Sequence, residues 1–323
     1  MNKSSSPIVS AVVTVYNKAS FLPATIRSLR DQMPDEEQVE YVFVDDASTD
    51  RSISVIEEAL QGAPHVRIIA NDTNTGPSVR LNQGAKAATG TYLYFLDGDD
   101  LAAEGAMTSM LDLLKKEQAD LIYGKTRKLP ASSREATSIK ADPTAPHTVS
   151  ETPLAYIMKG GFVRMALMCK RSLFLEAGGA DERIFVQDES LPLRLAALSK
   201  RFIDWQATVT VMPSPGGEGS RPGDRVSNDK TQLHHDAFFA YANALAATAR
   251  THPDVAPKLY AKAISAYWKY GKRQSRAGLL HPGFWRYLQA KCLRPSPNPK
   301  VLDWMADELR SLPNVRRPKT ENA

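Results

Sequence analysis

From Ile8 to Tyr123 the chain alternates apolar, β-branched runs with helix-spaced segments, and that alternation restricts the fold more than any other feature. Strand-like runs are expected at Ile8–Val15, Glu40–Asp45, Val66–Ala70, Thr91–Leu96 and Ala119–Tyr123. Between them, apolar residues recur at helical spacing: Leu22, Ile26 and Leu29 within Ser20–Arg30, then Ile53, Ile56 and Leu60 within Asp50–Leu60. Further helices are expected after the loop Asn71–Pro77, ending near Gly90, and over Ala103–Lys116. Repeated strand–helix–strand units imply an α/β fold, a mostly parallel sheet flanked by helices with right-handed crossovers. Ligands of such sheets bind beyond the carboxyl ends of the strands. Three of those ends carry polar or acidic residues: Tyr16-Asn17, Asp45-Asp46 and Asp97-Gly98-Asp99-Asp100.

The pattern changes further on. Pro130–Pro153 lacks a hydrophobic period and reads as an irregular surface connection. Met165–Cys169 suits a strand, Ser172–Ala177 a short helix stopped by Gly178-Gly179, and Leu191–Leu198 a helix continuing from Asp188-Glu189. Pro213–Asp224 is a Gly/Pro-rich loop long enough for a mobile lid; its Arg221 and the nearby Arg225 suit a phosphate clamp or plain solubility. Helices then follow at Lys230–Arg250, Val255–Arg276, Gly283–Lys291 and Lys300–Ser311.

With 323 residues, 42% of them hydrophobic, the chain can bury a core without disulfides, and Cys169 and Cys292 read as reduced thiols of a cytosolic protein. No apolar run is long enough to span a bilayer. The net charge of +5 is uneven: residues 257–323 hold 14 Lys and Arg against 4 Asp and Glu, which leaves −5 on the first 256. A basic tail on an acidic body suits an anionic membrane face, a phosphorylated acceptor, or simply a solvated helical surface. No nucleic-acid reader motif accompanies it.

At the chemistry-bearing strand ends, three carboxylates in Asp97-Gly98-Asp99-Asp100 repel one another unless a cation intervenes. Hard oxygen donors favour Mg²⁺ or Mn²⁺ held jointly with substrate phosphates; the bland reading is a solvated Asp-Gly turn. Asp45 and Asp46 suit hydrogen bonds to ribose or base, or the capping of the helix after them.

The succession VSAVVTVYNKASFLPATIRSL, YVFVDDASTD and NTGPSVRLNQGAKAATGTYLYFLDGDD resembles the inverting family-two glycosyltransferases with the GT-A fold. The resemblance implies a role for each matching residue. Thr14, Val15, Tyr16 and Asn17 would lie against the nucleotide base, with Thr14 where the family usually has Pro. Asp46 would contact the base, while Asp97 and Asp99 would hold ribose and a Mn²⁺ or Mg²⁺ diphosphate. Asn82 and Gly84 match a helix pattern of the family, but the expected Arg before the Asn is Leu81 here, with Arg80 one place earlier as the candidate diphosphate contact. The family's base comes from a Glu-Asp pair heading a helix; Asp188 would fill that role, Gln187 replaces the Glu, and Glu189 is the alternative. His234-His235 could supply a metal ligand or form a surface pair. Tyr267, Trp268, Tyr270, Trp285 and Tyr287 lie among basic residues, as in an interfacial membrane helix or a helix-packing core.

The implied function is inverting transfer of a sugar from a nucleoside-diphosphate sugar, UDP-linked in the first instance, to a hydroxyl of a surface glycan or lipid-linked saccharide. The alternative is a catalytically silent relative that binds nucleotide sugar or glycan. A dinucleotide dehydrogenase would need the absent GxGxxG fingerprint, and a nucleotidyltransferase a Gly- and Lys-containing loop after Val15. The expected division is a GT-A domain over residues 1–228, with nucleotide-sugar binding at 1–125 and an acceptor and catalytic part at 150–228, then a basic helical extension over 229–323. A cytoplasmic location is expected, with peripheral attachment to the inner membrane face as an option.

Overall fold

The computed structural model describes residues 7–30, 32–33, 35–129, 139–160, 162, 165–213, 229–274, 280, 282–293, 296–311 and 315–318. A nine-stranded mixed sheet in the order β3-β2-β1-β4-β8-β6-β9-β5 forms its centre, with β7 paired to β9. The strands are β1 Val9–Val15, β2 Val39–Asp45, β3 His65–Ile69, β4 Tyr92–Asp97, β5 Leu101–Ala102, β6 Leu121–Leu129, β7 His147–Ser150, β8 Leu167–Lys170 and β9 Phe202–Pro213. The first four, with β6 and β9, run one way; β5, β7 and β8 oppose their neighbours.

β1 and β2 are buried on both faces, which is why they read as nearly continuous apolar runs. Their side chains alternate between two cores: Val12, Val42, Val44, Leu93 and Phe95 on one side of the sheet, and Ala11, Val13, Tyr41, Phe43 and Tyr94 on the other. The second core takes its helical cover from α1 (Leu22–Arg30), α2 (Ser52–Ala59) and α4 (Ala106–Lys116). Over the first lie α3 (Pro77–Ala87), α5 (Pro153–Ile157), α6 (Arg171–Glu176), α7 (Gln187–Leu198), α8 (Lys230–Thr248) and α9 (Ala256–Gln274). α10 (Pro282–Leu293) and α11 (Pro299–Arg310) complete the helical end of the chain. Gly84 lets α3 approach the sheet: a Cβ there would stand 2.6 Å from Val12 and 2.8 Å from Val44.

Most expected elements form within a few residues of their expected bounds. Within 130–153, expected to be irregular, His147–Ser150 instead forms β7 as an edge partner of β9. β9 alternates Ile203, Trp205, Ala207, Val209 and Val211, which face the second core, with Asp204, Gln206, Thr208 and Thr210; Asp204 is buried and satisfied by Lys125 at 3.0 Å and Tyr156 at 3.1 Å. Residues 130–138 and the greater part of the expected lid, 214–224, with Arg221 and Arg225, lie outside the described residues. Among the described residues no helix is long and apolar enough to cross a membrane. Cys169 is buried and Cys292 exposed, both as free thiols.

Candidate active site

The carboxyl end of β1 brings the acidic tips together. The Val15 carbonyl accepts the Asp46 N–H at 2.8 Å on one side, and the Thr14 carbonyl accepts the Gly98 N–H at 3.0 Å on the other. Thr14 stands in register with Asp97, and Val15 with Asp45. Gly98 suits this closeness, since a Cβ would crowd the Thr14 carbonyl oxygen at 3.0 Å. Thr25 fixes the same turn, donating its hydroxyl to the Gly98 carbonyl at 3.2 Å.

Within this cluster Asp97 Oδ1 accepts the Thr14 hydroxyl at 3.2 Å and lies 3.5 Å from the Gln187 amide. Asp99 pairs with the Lys18 ammonium at 2.8 Å, both side chains largely withdrawn from water. Lys18 comes directly after the Tyr16-Asn17 motif, and that adjacency is its only sequence signal. Tyr16, the residue after β1, is 47% exposed. Asn17, at φ 53°, turns the chain back so that its side-chain carbonyl accepts the Thr49 N–H at 2.8 Å, while its own N–H donates to Ser48 at 2.9 Å. Asn and Asp tolerate this left-handed region better than other L-residues.

Asp46 and Arg80 are also brought together, as a buried pair at 2.7 Å. Asp46 further accepts the N–H groups of Thr75 and Gly76 at 2.8 and 2.9 Å. The Arg80 guanidinium also donates to Gln83 at 3.1 Å and to the Thr73 carbonyl. Here they pin the loop before α3 onto β2. Asp45 supports the neighbouring turn, accepting the Ser48 N–H at 2.8 Å.

Asp188 sits in the first turn of α7, one residue after the Gln187 that reaches Asp97. Its helix is fixed from two directions. Ser78 of α3 donates to the Ile184 carbonyl at 3.0 Å, and Asn82 exchanges hydrogen bonds with Ala180 at 2.8 and 2.9 Å. From α8, the fully buried Asp236 accepts the N–H groups of Phe185 and Val186 at 3.1 and 2.7 Å. Glu189, the alternative base, turns toward α8 and α9. Burial, then the Asp236 charge, push its carboxyl up to about 7, against the opposing pull of Lys262.

His235 corrects the expectation of a surface pair. It is 2% exposed, packs at a tilt against the Phe239 ring and holds Asp236 Oδ1 through Nδ1 at 2.7 Å, because α8 packs against α7. Tyr267, Trp268 and Tyr270 are likewise core residues of α9, whereas Trp285 of α10 is 60% exposed.

Two carboxylates around a tight glycine turn fit Mg²⁺ or Mn²⁺, which take one or two protein carboxylates plus substrate phosphates. Asp97 and Asp99 would hold the ion. Among the described residues no group of three or more His, Cys, Asp or Glu side chains forms a cage without substrate.

Residues 10–174, just over half of the chain, match the family described as Glycosyl transferase family 2. The chain belongs to that family. This glycosyltransferase is 30% identical over 118 residues to an uncharacterized glycosyltransferase of Haemophilus influenzae, covering 36% of the chain and 46% of the relative. It is 31% identical over 120 residues to the poly(ribitol-phosphate) beta-glucosyltransferase of Bacillus spizizenii, covering 37% of the chain and 19% of the relative. These matches thus span less than half the length of either relative. In three dimensions it superimposes on S. aureus TarS 1–349 in complex with UDP-GlcNAc with a TM-score of 0.66 at 14% identity, over 94% of this chain and 89% of that one. The mannosyltransferase PcManGT of Pyrobaculum calidifontis, in complex with GDP-Man and Mn²⁺, gives 0.59 at 17% identity, over 94% and 85%. At these identities the likeness establishes the fold, which is GT-A.

Proposed function

We propose that the chain transfers a sugar, with inversion, from a UDP-sugar to a hydroxyl of a surface glycan or lipid-linked saccharide. The observation that carries this reading is the meeting of Thr14, Lys18, Asp97, Asp99 and Gln187 at one set of strand tips, with Asp188 on the adjoining helix start. The donors named with the structural neighbours, UDP-GlcNAc and GDP-Man, support a nucleoside-diphosphate sugar.

Tyr16 and Asn17 would receive the base and ribose at the exposed rim, and Asp97 with Asp99 the diphosphate side. Asp46 and Arg80 would shape the base pocket by holding the loop before α3 in place. When bound, a divalent ion offsets negative charge on the diphosphate. Asp188 would take the acceptor hydroxyl's proton as that oxygen attacks the anomeric carbon opposite the leaving group. A single displacement of this kind inverts the anomer. The catalytic unit would be residues 1–228, with 150–228 serving acceptor and chemistry, and the basic helices of 229–323 would hold the protein at an anionic membrane face, on the cytoplasmic side.

UDP release from UDP-sugars in Mn²⁺ tests this reading, with UDP binding measured in parallel by thermal shift. Asp188→Asn should retain UDP binding and lose about 10²–10⁴-fold in rate, the usual worth of a general base. Asp99→Ala should lose both. Near-normal turnover in the Asn variant would remove Asp188 from this role.

A further inference from the structure

A cavity lies against Tyr123, whose ring is within the electrostatic reach of Asp188, and the transfer described above assigns it no ligand. It has a volume of about 260 Å³ and is lined by Tyr123, Lys125, Thr126, Lys128, Phe162 and Ala166 among others. That is near the small end of ligand pockets, roughly 300–1,000 Å³, and suits one monosaccharide unit rather than an extended chain.

Strand register places it. Met168 of β8 pairs with Tyr94 on one side and Ile122 on the other. Tyr123 therefore stands level with Phe95, two residues short of Asp97, and two strand spacings away, about 10 Å. Tyr123 also lies in the field of Asp188. Burial first, then that carboxylate, holds its phenol well above the ordinary range, so the ring marks where cavity and base adjoin.

The lining chemistry is one-sided. Lys125 and Lys128 contribute two ammonium groups, and none of the described lining side chains is acidic. Lys125 is held from behind by Asp204 at 3.0 Å, with its ammonium 5.9 Å from the Phe162 ring centre. Lys128 is exposed, and among the described residues it has no ion-pair partner. Phe162 supplies an aromatic wall, fixed edge-on against Tyr123 and Phe202 at 5.6 and 5.3 Å. An apolar ring face beside the unneutralised ammonium of Lys128 is suited to a sugar ring that carries negative charge. A neutral sugar would leave that ammonium with water alone.

We infer that this cavity is the acceptor subsite, and that Lys128, with Lys125 beside it, selects an acceptor sugar unit bearing a phosphate or carboxylate. The assignment rests on the glycosyltransfer reading. Saturation-transfer NMR tests it with glucose 6-phosphate, glucuronate and methyl glucoside as probes, in saturating UDP and Mn²⁺ so that the donor side is filled. At least one charged probe should bind about fivefold or more tightly than methyl glucoside. Lys128→Ala should erase that preference and Lys128→Arg retain it, with UDP thermal shifts recorded for each protein. The two charged probes distinguish phosphate from carboxylate as the favoured group. UDP binding without any charged-probe preference, or a preference that survives Lys128→Ala, overturns the subsite. Absence of UDP binding in the native protein overturns the underlying function and the acceptor assignment with it.

Discussion

At Asp99 a lysine ammonium stands where a divalent ion would have to bind, 2.8 Å from Oδ2. The ion must displace it or share the carboxylate, and either course weakens metal binding by the strength of the pair. For a partly exposed pair that is about 1 kcal/mol, roughly fivefold in affinity. Lys18→Ala should therefore bind Mn²⁺ about fivefold more tightly in nucleotide-free titration calorimetry; unchanged or weaker binding would show that Lys18 does not compete. Asp97 and Asp99 are legible in sequence because ligands of such sheets gather at the ends of parallel strands, and Thr14 through the family resemblance. Lys18, Thr25 and Tyr123 are not, since their partners come from distant segments and no local pattern encodes a contact across the sheet. Asp46 and Arg80 each stand out in the sequence, but their pairing with each other depends on how the loop before α3 folds back.

Where α7 meets α8 and α9, Glu189 lies against Asp236 and Lys262, its carboxyl raised from 4.5 to about 7. A raised carboxyl favours the protonated form in the folded state. Its contribution is full below the unfolded value near 4.5 and is lost as pH rises through 7, because the folded state binds more protons over that window. At about 1.4 kcal/mol per pK unit the loss is on the order of 3 kcal/mol. Glu189→Gln should flatten the fall in melting temperature between pH 4.5 and 7 and leave the protein more stable than the native form at pH 8. Parallel curves for the two proteins would show that Glu189 is solvated instead. Helices α1, α4, α9 and α11 are readable because each keeps a clear helical period, and β1 and β2 because they are nearly continuous apolar runs. β5 and β7 escape sequence reading because they are only two and four residues long, whereas β9 keeps a period of two, Ile203, Trp205, Ala207, Val209 and Val211 against Asp204, Gln206, Thr208 and Thr210, and its signal is legible although the expected elements omit it.

Across the whole molecule, the aromatic residues of the basic half divide by burial. Those of α9 join the core that also contains α8 and α11, while α10 presents Trp285 and Leu293 to solvent at 60% and 72% exposure, with Arg286 also exposed. An exposed Trp among cations suits the headgroup layer of an anionic bilayer. Flotation with phosphatidylglycerol vesicles at low salt should carry the protein upward, and Trp285→Ala should reduce the floated fraction severalfold. Equal recovery with neutral and anionic vesicles would exclude a specific attraction to anionic membranes. At the strand tips, Asp97 Oδ1 faces both Thr14 and Gln187. These are two positions where the chain departs from its family's usual pattern, and the fold joins them on a single oxygen atom. A carboxylate restored at 187 would confront Asp97 with like charge, and a proline restored at 14 would take away a donor. Because both side chains act on that one oxygen, the effects of Gln187→Glu and Thr14→Pro on UDP binding should not add.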